Sequence, residues 1–303
     1  MQIKNPWSLA AALSTIALVA QAGAVPVKKP APGHAPPKAH LVVHQQQPAG
    51  PKANVESYTP ERYRPLVMLK ARNEFEAAHG YRFDKIIRGD GHKKQIALTF
   101  DDGPHQAYTL QLLNVLKEMH TPATFFVVGR QVEKFPELLK KEAAEGFEIG
   151  NHTYDHIDLT QIPPELISYE LDQCDFVIKR TTGKSVRFFR PPGGNYDHNV
   201  IREAVRRKYV TALWTDDPAD YARPPAHVIL KRSLDRLENG AIILLHDGIP
   251  ETIEILPELI TEARRRGYEF VLMSTLTESR KNINQIEVAP TIKHGGAHSQ
   301  AGL

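Results

Sequence analysis

Two adjacent carboxylates, Asp101 and Asp102, precede Gly103-Pro104, and two histidines, His152 and His156, follow at a spacing of four. That spacing lets two imidazoles reach one ion from a helical turn or a tight loop. A carboxylate from Asp101 or Asp102 would complete two histidines and one carboxylate, with positions left open for water and substrate. This is the composition of a catalytic zinc-type site, whereas a structural site is more often closed by a fourth protein ligand. Adjacent aspartates cannot face one ion equally well, so the natural division is one ligand and one base. The metal lowers the pKa of its water toward about 7, and the second carboxylate takes the proton as that water attacks a carbonyl. His246 is then free to protonate a leaving amine, since imidazole titrates near neutrality. The bland alternative has surface histidines, an Asp pair capping a helix and a His246 bonded to backbone.

Short apolar runs alternate with helical patterns, the signature of parallel strands joined by crossover helices. Strands are predicted at Ile96–Phe100, Ala123–Val128, Val186–Phe189, Tyr209–Trp214, Ala241–Leu245 and Tyr268–Met273. Helices are predicted at Leu110–Met119, Val132–Glu145, Pro164–Lys179, Asn199–Lys208, Ala226–Leu237 and Ile253–Arg266. Such a count without sequence repeats predicts a single β/α barrel, complete or distorted. An extra helix over Pro65–Ala78 would pack outside it. The polar clusters Asp101-Asp102-Gly103-Pro104, Asn151-His152 with His156, Arg190-Pro191-Pro192-Gly193-Gly194, Asp216-Asp217 with Asp220, and His246-Asp247 fall just after predicted strands. The C-terminal strand ends of a barrel converge on one mouth, so these segments would meet there.

Composition is that of a globular protein: 303 residues, 41% hydrophobic and 24% charged, with a formal charge of +3. Residues 1–24 hold one charge, Lys4, then a mostly apolar run from Leu9 to Ala20 and the small-residue pattern Ala22-Gly23-Ala24. This reads as a secretory signal peptide, too short in its apolar run for the ~18–20 residues that cross a bilayer. Removing it leaves 37 basic against 35 acidic residues, a balance that points to no nucleic-acid partner. No second long apolar stretch predicts membrane insertion of the mature chain. Residues 25–60 are rich in Pro, Lys, Ala, His and Gln and form an expected flexible linker, in which His34, His40 and His44 read as solvated. The expected domain spans 61–283, followed by a loose tail over 284–303. Cys174, the sole cysteine, excludes an intramolecular disulfide and reads as a core residue.

Five ordered segments resemble the motifs of the NodB-type polysaccharide deacetylases, carbohydrate esterase family 4. They are Thr99-Phe100-Asp101-Asp102-Gly103-Pro104, His152-Thr153-Tyr154-Asp155-His156, Arg190-Pro191-Pro192-Gly193-Gly194, Asp217-Pro218-Ala219-Asp220-Tyr221 and Leu244-Leu245-His246-Asp247. The resemblance spans about Gln95 to Met273 and implies a distorted (β/α) barrel of the NodB homology type. It implies a secreted or cell-envelope hydrolase that removes N-acetyl groups from N-acetylglucosamine-containing polysaccharide, peptidoglycan ahead of chitin or poly-N-acetylglucosamine. The implied cofactor is a divalent metal, zinc with cobalt as the alternative, held by Asp102, His152 and His156. Asp101 resembles the general base and Arg190 the arginine that orients it; as a residue of the barrel mouth, Arg190 would contribute little to the core. His246 resembles the general acid, and Asp220 the carboxylate that tunes it, with Asp217 a rival. Leu244 and Tyr221 would line the acetyl-methyl pocket.

Two departures bear on substrate preference. Many relatives carry an aromatic residue at or near Gly193, whose backbone N–H helps hold the oxyanion, and many carry Trp where Tyr221 stands. Competing readings are an O-acetyl esterase acting on xylan and a catalytically inactive glycan-binding module; metal content and acetate release from acetylated glucosamine oligomers separate the three.

Overall fold

The computed structural model describes residues 71–72, 74–76, 78–79 and 83–278. The expected signal peptide, linker and tail, and residues 65–70 of the expected extra helix, lie outside the described residues. The rest of that helix is present: 71–72, 74–76 and 78 are helical where described. Its buried Glu76 takes ion pairs from Arg72, at 3.1 Å, and from Lys85.

Among the described residues eight strands, β1 (Lys85–Ile86), β2 (Gln95–Asp101), β3 (Ala123–Val127), β4 (Glu148–Asn151), β5 (Phe188–Phe189), β6 (Val210–Ala212), β7 (Ile242–His246) and β8 (Glu269–Phe270), form the sheet. Their order is β1-β6-β5-β4-β3-β2-β7, with β8 paired to β2 and every pair parallel. Past β6 the chain runs on to Asp216, which bridges Ile243 of β7; Leu244 N–H donates to the Asp216 carbonyl at 2.8 Å. That bridge closes β2 through β7 into a ring, giving the predicted distorted (β/α) barrel.

Crossovers are made by α1 (Thr109–Glu118), α2 (Gly129–Lys134), α3 (Pro136–Ala144), α4 (Pro164–Thr182), α5 (His198–Arg206), α6 (Ala226–Asp235) and α7 (Pro250–Arg265). The helix expected over Val132–Glu145 is two helices. Phe135, at φ −132° and ψ 54°, leaves the helical region because it precedes Pro136, which opens α3. The strands expected at Val186–Phe189, Tyr209–Trp214 and Tyr268–Met273 pair over two or three residues only. The strand expected before His152 has no predicted bounds, because β4, Glu-Ile-Gly-Asn, holds one large apolar side chain and shows no periodicity. Gly150 in β4 is required by packing: a Cβ there would lie 2.6 Å from the Phe126 ring.

The two-residue period of strands sorts their side chains. Ile96, Leu98 and Phe100 of β2, Phe125 and Val127 of β3, and Ile243 and Leu245 of β7 form one core with α1, α4 and α7. Each such fully buried side chain contributes roughly 1.5–3 kcal/mol. Ala97, Phe126, Phe188, Ala212, Ile242 and Met273 form a second cluster inside the barrel. On that inner register, two residues at a time, β2 runs Ala97, Thr99, Asp101 and β7 runs Ile242, Leu244, His246. The strand pattern alone therefore delivers Asp101, Leu244 and His246 to one mouth.

Candidate active site

Asp102 follows β2 and the His152–His156 loop follows β4. One ligand atom from each of Asp102, His152 and His156 lies within 4.8 Å of the others. Oδ1 of Asp102 stands 3.5 Å from Nε2 of His152 and 3.1 Å from Nε2 of His156. His152 is buried, and its Nδ1 lies 2.7 Å from the Arg190 carbonyl oxygen. A carbonyl can only accept, so Nδ1 carries the proton and, in the neutral ring, Nε2 presents a lone pair toward Asp102. Two acceptors facing each other are satisfied by a proton on Nε2 or by a metal cation held between them. Oδ1 of Asp102 is also buried without a hydrogen-bond donor. The donor set of two imidazoles and one carboxylate, with second-sphere support on His152, thus fits a divalent metal. Burial would raise the Asp102 carboxyl, but the His152 and His156 imidazoles hold it well below the usual carboxylate range.

The backbone bends sharply to make this cluster. Asp102 (φ 74°), Thr153 (φ 68°) and His156 (φ 56°) adopt the left-handed region, at a cost of order 1–3 kcal/mol each. Side chains hold the second of these turns in place. Asn151 Oδ1 accepts the Thr153 N–H at 2.8 Å, and Glu170 Oε2 accepts the N–H groups of Tyr154 and Asp155 at 3.0 and 2.8 Å. The first turn packs on Asp247, whose Oδ2 would lie 2.6 Å from any Cβ at position 103 and accepts a hydrogen bond from Thr109. Asp247 therefore braces the Asp102-Gly103 loop, and burial pushes its carboxyl up to about 6.

Asp101 is 2% exposed and accepts a 2.7 Å bond from Arg190 Nη1; its other oxygen is 3.5 Å from His152 Nε2. Arg190 corrects the expectation of a mouth residue with little part in the core. It is 0% exposed, donates to Thr99 Oγ1 and to the Ala212 and Leu213 carbonyls, and lies 4.1 Å over the Phe126 ring. The barrel interior is filled by this guanidinium because the inner register offers it carbonyls, a hydroxyl and a carboxylate together.

Across the mouth, His246 Nδ1 is 2.7 Å from Asp220 Oδ1, while Asp220 Oδ2 accepts the His246 backbone N–H at 2.8 Å and Thr252 Oγ1 at 2.6 Å. Nδ1 is thereby engaged and Nε2 is left for the cavity. Burial lowers the imidazole, but the bond to Asp220 and the charges of Asp220, Asp102 and Asp101 outweigh it and push it up to about 9. Asp217 instead accepts the Ala219 N–H at 2.8 Å and faces the cavity.

A cavity of about 310 Å³ is lined by Asp101, Asp102, His152, His156, Gly193, Trp214, Asp217, Tyr221, Leu244 and His246. Every site residue named from the sequence except Arg190 and Asp220 lines it, and those two bond directly to Asp101 and His246. Tyr221 is at the rim, 56% exposed, its ring edge-on to His246 at 5.4 Å. Sequence reasoning missed Trp214 and Thr252. The signal for Trp214 was Gly194, at φ 71°, where a Cβ would lie 2.7 Å from the indole. Thr252 carried no signal, since it reaches Asp220 from a separate helix.

The sequence matches the family model described as polysaccharide deacetylase over residues 88–212. A peptidoglycan-N-acetylglucosamine deacetylase of Bacillus cereus is 38% identical over 190 residues, 61% of this chain and 88% of that protein. A chitooligosaccharide deacetylase of Bradyrhizobium sp. is 35% identical over 191 residues, 58% of this chain and 87% of that protein. Among solved structures, a CE4 family pseudoenzyme from Bacillus anthracis aligns with a TM-score of 0.63 and 30% identity, over 66% of this chain and 71% of that one. Because an inactive protein shares the fold, the fold alone carries no activity, and the residues of the site must supply it.

Proposed function

The chain belongs to the polysaccharide deacetylase family, and from that premise we propose that it removes N-acetyl groups from an N-acetylglucosamine-containing extracellular polysaccharide, peptidoglycan ahead of chitin or poly-N-acetylglucosamine. The carrying observation is the convergence, on one cavity, of an Arg190-paired Asp101, the Asp102-His152-His156 cluster and an Asp220-paired His246. Secretion to the cell envelope follows from the signal peptide read in residues 1–24.

Asp102, His152 and His156 would hold a divalent cation, zinc or cobalt. When bound, such a cation supplies Lewis acidity toward water and the acetyl carbonyl. Asp101, oriented by its bond from Arg190, takes the proton of the water that attacks the carbonyl carbon. Leu244 and the Trp214 face close the apolar side of the cavity, where the acetyl methyl fits, and Tyr221 covers its rim. His246, held by Asp220 with Nε2 toward the cavity, gives its proton to the departing nitrogen as the C–N bond breaks, yielding acetate and a free amine. The Gly193 backbone N–H is the donor for the developing oxyanion.

The rival within the same fold is an O-acetyl esterase acting on xylan, since the same attack opens an ester. A protonated His246 favours the amide, whose nitrogen cannot leave as an anion. Against an inactive glycan-binding module stands the presence of every ionisable group in the scheme. Acetate release from purified peptidoglycan, chitooligosaccharides and acetylxylan, with added zinc or cobalt, tests the reading. Release from the amide substrates is expected; release from acetylxylan alone, or from none, overturns it.

A further inference from the structure

The turn that carries the Gly193 N–H into the catalytic cavity has little stiffness of its own. Gly193 (φ 63°) and Gly194 (φ 71°) stand consecutively in the left-handed region. Glycine adopts that region without a Cβ clash, but it also loses the most conformational freedom when it is ordered. The turn closes through the Gly194 N–H on the Pro191 carbonyl, at 2.9 Å, and the Asn195 N–H on the Pro192 carbonyl, at 3.2 Å. At one end it is anchored by the buried Arg190, whose N–H donates to the Asn151 carbonyl at 2.9 Å. Its other end runs into Tyr196, and there the hold comes from a distant part of the chain.

Tyr196 is buried and is gripped by the extra helix that precedes β1. The Arg72 guanidinium lies 3.6 Å over the Tyr196 ring, and Arg72 Nη2 donates to the Tyr196 carbonyl oxygen. Arg72 Nε also donates to Glu76 Oε1, one turn on, at 3.1 Å. Lys85 of β1 donates to the other Glu76 oxygen and stands 3.4 Å from the Tyr196 hydroxyl. Burial would raise the Glu76 carboxyl, but bonds from Lys85, Tyr196 and Arg72 hold it below its ordinary value. Glu76 is therefore an anion that seats Arg72 over the ring and backbone of one tyrosine and Lys85 beside its hydroxyl. Charge-assisted bonds and a cation over an aromatic face are directional contacts, so they fix a position as well as cover a surface. Arg72, Glu76 and Lys85 all precede the 88–212 segment that matches the family model, whereas Tyr196 lies within it.

We infer that Arg72, seated by Glu76, is a positioning residue for the reaction: through Tyr196 the extra helix holds the Pro191–Asn195 turn so that the Gly193 N–H meets the developing oxyanion. This rests on the reading of the catalytic site above. A donor aimed at the oxyanion stabilises the transition state more than the bound substrate, so loss of its alignment lowers kcat and leaves KM nearly unchanged.

Arg72→Ala releases Tyr196 by altering a side chain that is 40% exposed, and Arg72→Lys keeps the charge beside Glu76 without the planar face. Both are compared with the wild type as the full chain. Amide hydrogen exchange, followed by NMR without substrate, should be about 10-fold faster at Gly194 and Asn195 in Arg72→Ala, with the amides of β2 and β3 unchanged. With zinc bound and the tetramer of N-acetylglucosamine as substrate, kcat should fall about 10-fold in Arg72→Ala and KM should stay within about 2-fold. Bound zinc should hold, and Arg72→Lys should recover part of the loss. Unchanged exchange in the turn, faster exchange throughout the barrel, or a raised KM at unchanged kcat each overturns the assignment. So does faster exchange in the turn with kcat intact. A wild type that releases no acetate would sink the catalytic reading and the positioning role with it, while exchange at Gly194 and Asn195 would still show whether the helix braces the turn.

Discussion

Nη1 of Arg190 lies 2.7 Å from Oδ1 of Asp101, with the guanidinium wholly buried and the carboxylate nearly so. An ion pair in this position cannot lose one partner to solvent. Arg190→Ala would leave Asp101 buried beside His152 without its counter-charge, along with an empty volume over Phe126. Breaking a buried pair costs roughly 3–5 kcal/mol. The variant is therefore expected to lose both activity and stability, read as a lower urea midpoint at unchanged slope. Unfolding at the wild-type midpoint would mean that water replaces the guanidinium and that its part is orientation alone.

The adjacent aspartates should separate cleanly. Asp101→Asn keeps the shape and the hydrogen bond to Arg190 but abolishes the base, so turnover is expected to fall roughly 10²- to 10⁴-fold while bound zinc stays near that of the wild type. Asp102→Ala removes a ligand and should strip the metal. Metal analysis of the purified variants beside acetate release reads both effects, and a reversed pattern would exchange the two roles.

Protonation of His246 gives the metal-free protein a pH-dependent stability. The folded imidazole, pushed up to about 9, binds its proton more tightly than the unfolded one near 6.5. Its contribution is fully present below about pH 6.5 and is lost as pH rises through about 9. The gap corresponds to about 3 kcal/mol. Urea unfolding of chelator-treated wild type and His246→Gln at pH 6 and pH 10 should show the wild type losing about that much more than the variant between the two. Added zinc, a nearby cation, should move the imidazole midpoint seen by NMR downward. Parallel pH dependence in the two proteins would mean that the Asp220 bond does not hold in solution.

The strand runs of β2, β3 and β7 were legible because strands buried on both faces read as apolar stretches, and their inner register already aligned Asp101, Leu244 and His246. Strand β4 was not, since its pairing rests on Gly150 fitting against Phe126 rather than on apolar pattern. The residue types of the Asp102-His152-His156 cluster were legible, but the reason for its loops was not. The turns with positive φ at Asp102, Thr153 and His156 rest in part on partners distant in sequence, Asp247 packed against Gly103 and Glu170 bonded to Tyr154 and Asp155. Burial of Arg190 was misread for a related cause: an arginine after a strand reads as exposed unless the carbonyls of Ala212 and Leu213, on a later strand end, are known to receive it. Between Asp217 and Asp220 the sequence offered two carboxylates, and only the turn at Ala219 (φ 58°) decides which one meets His246.

His246→Ala tests whether the imidazole acts on the leaving group. Its Nδ1 is engaged by Asp220, and its Nε2 is the atom left to face the cavity. An amide nitrogen departs only when protonated, whereas an aryl acetate releases a stabilised phenolate that needs no proton. The variant should therefore lose roughly 10²- to 10⁴-fold on an acetylated glucosamine oligomer and far less on the aryl acetate. Metal content should hold, because His246 lies outside the ligand cluster of Asp102, His152 and His156. Asp220→Asn should fall between wild type and His246→Ala, since the imidazole remains but loses the charge that keeps it protonated. Turnover of both substrates by all three proteins across pH 6–10 makes the comparison. Equal losses on amide and ester would remove His246 from proton delivery and bring the esterase reading forward.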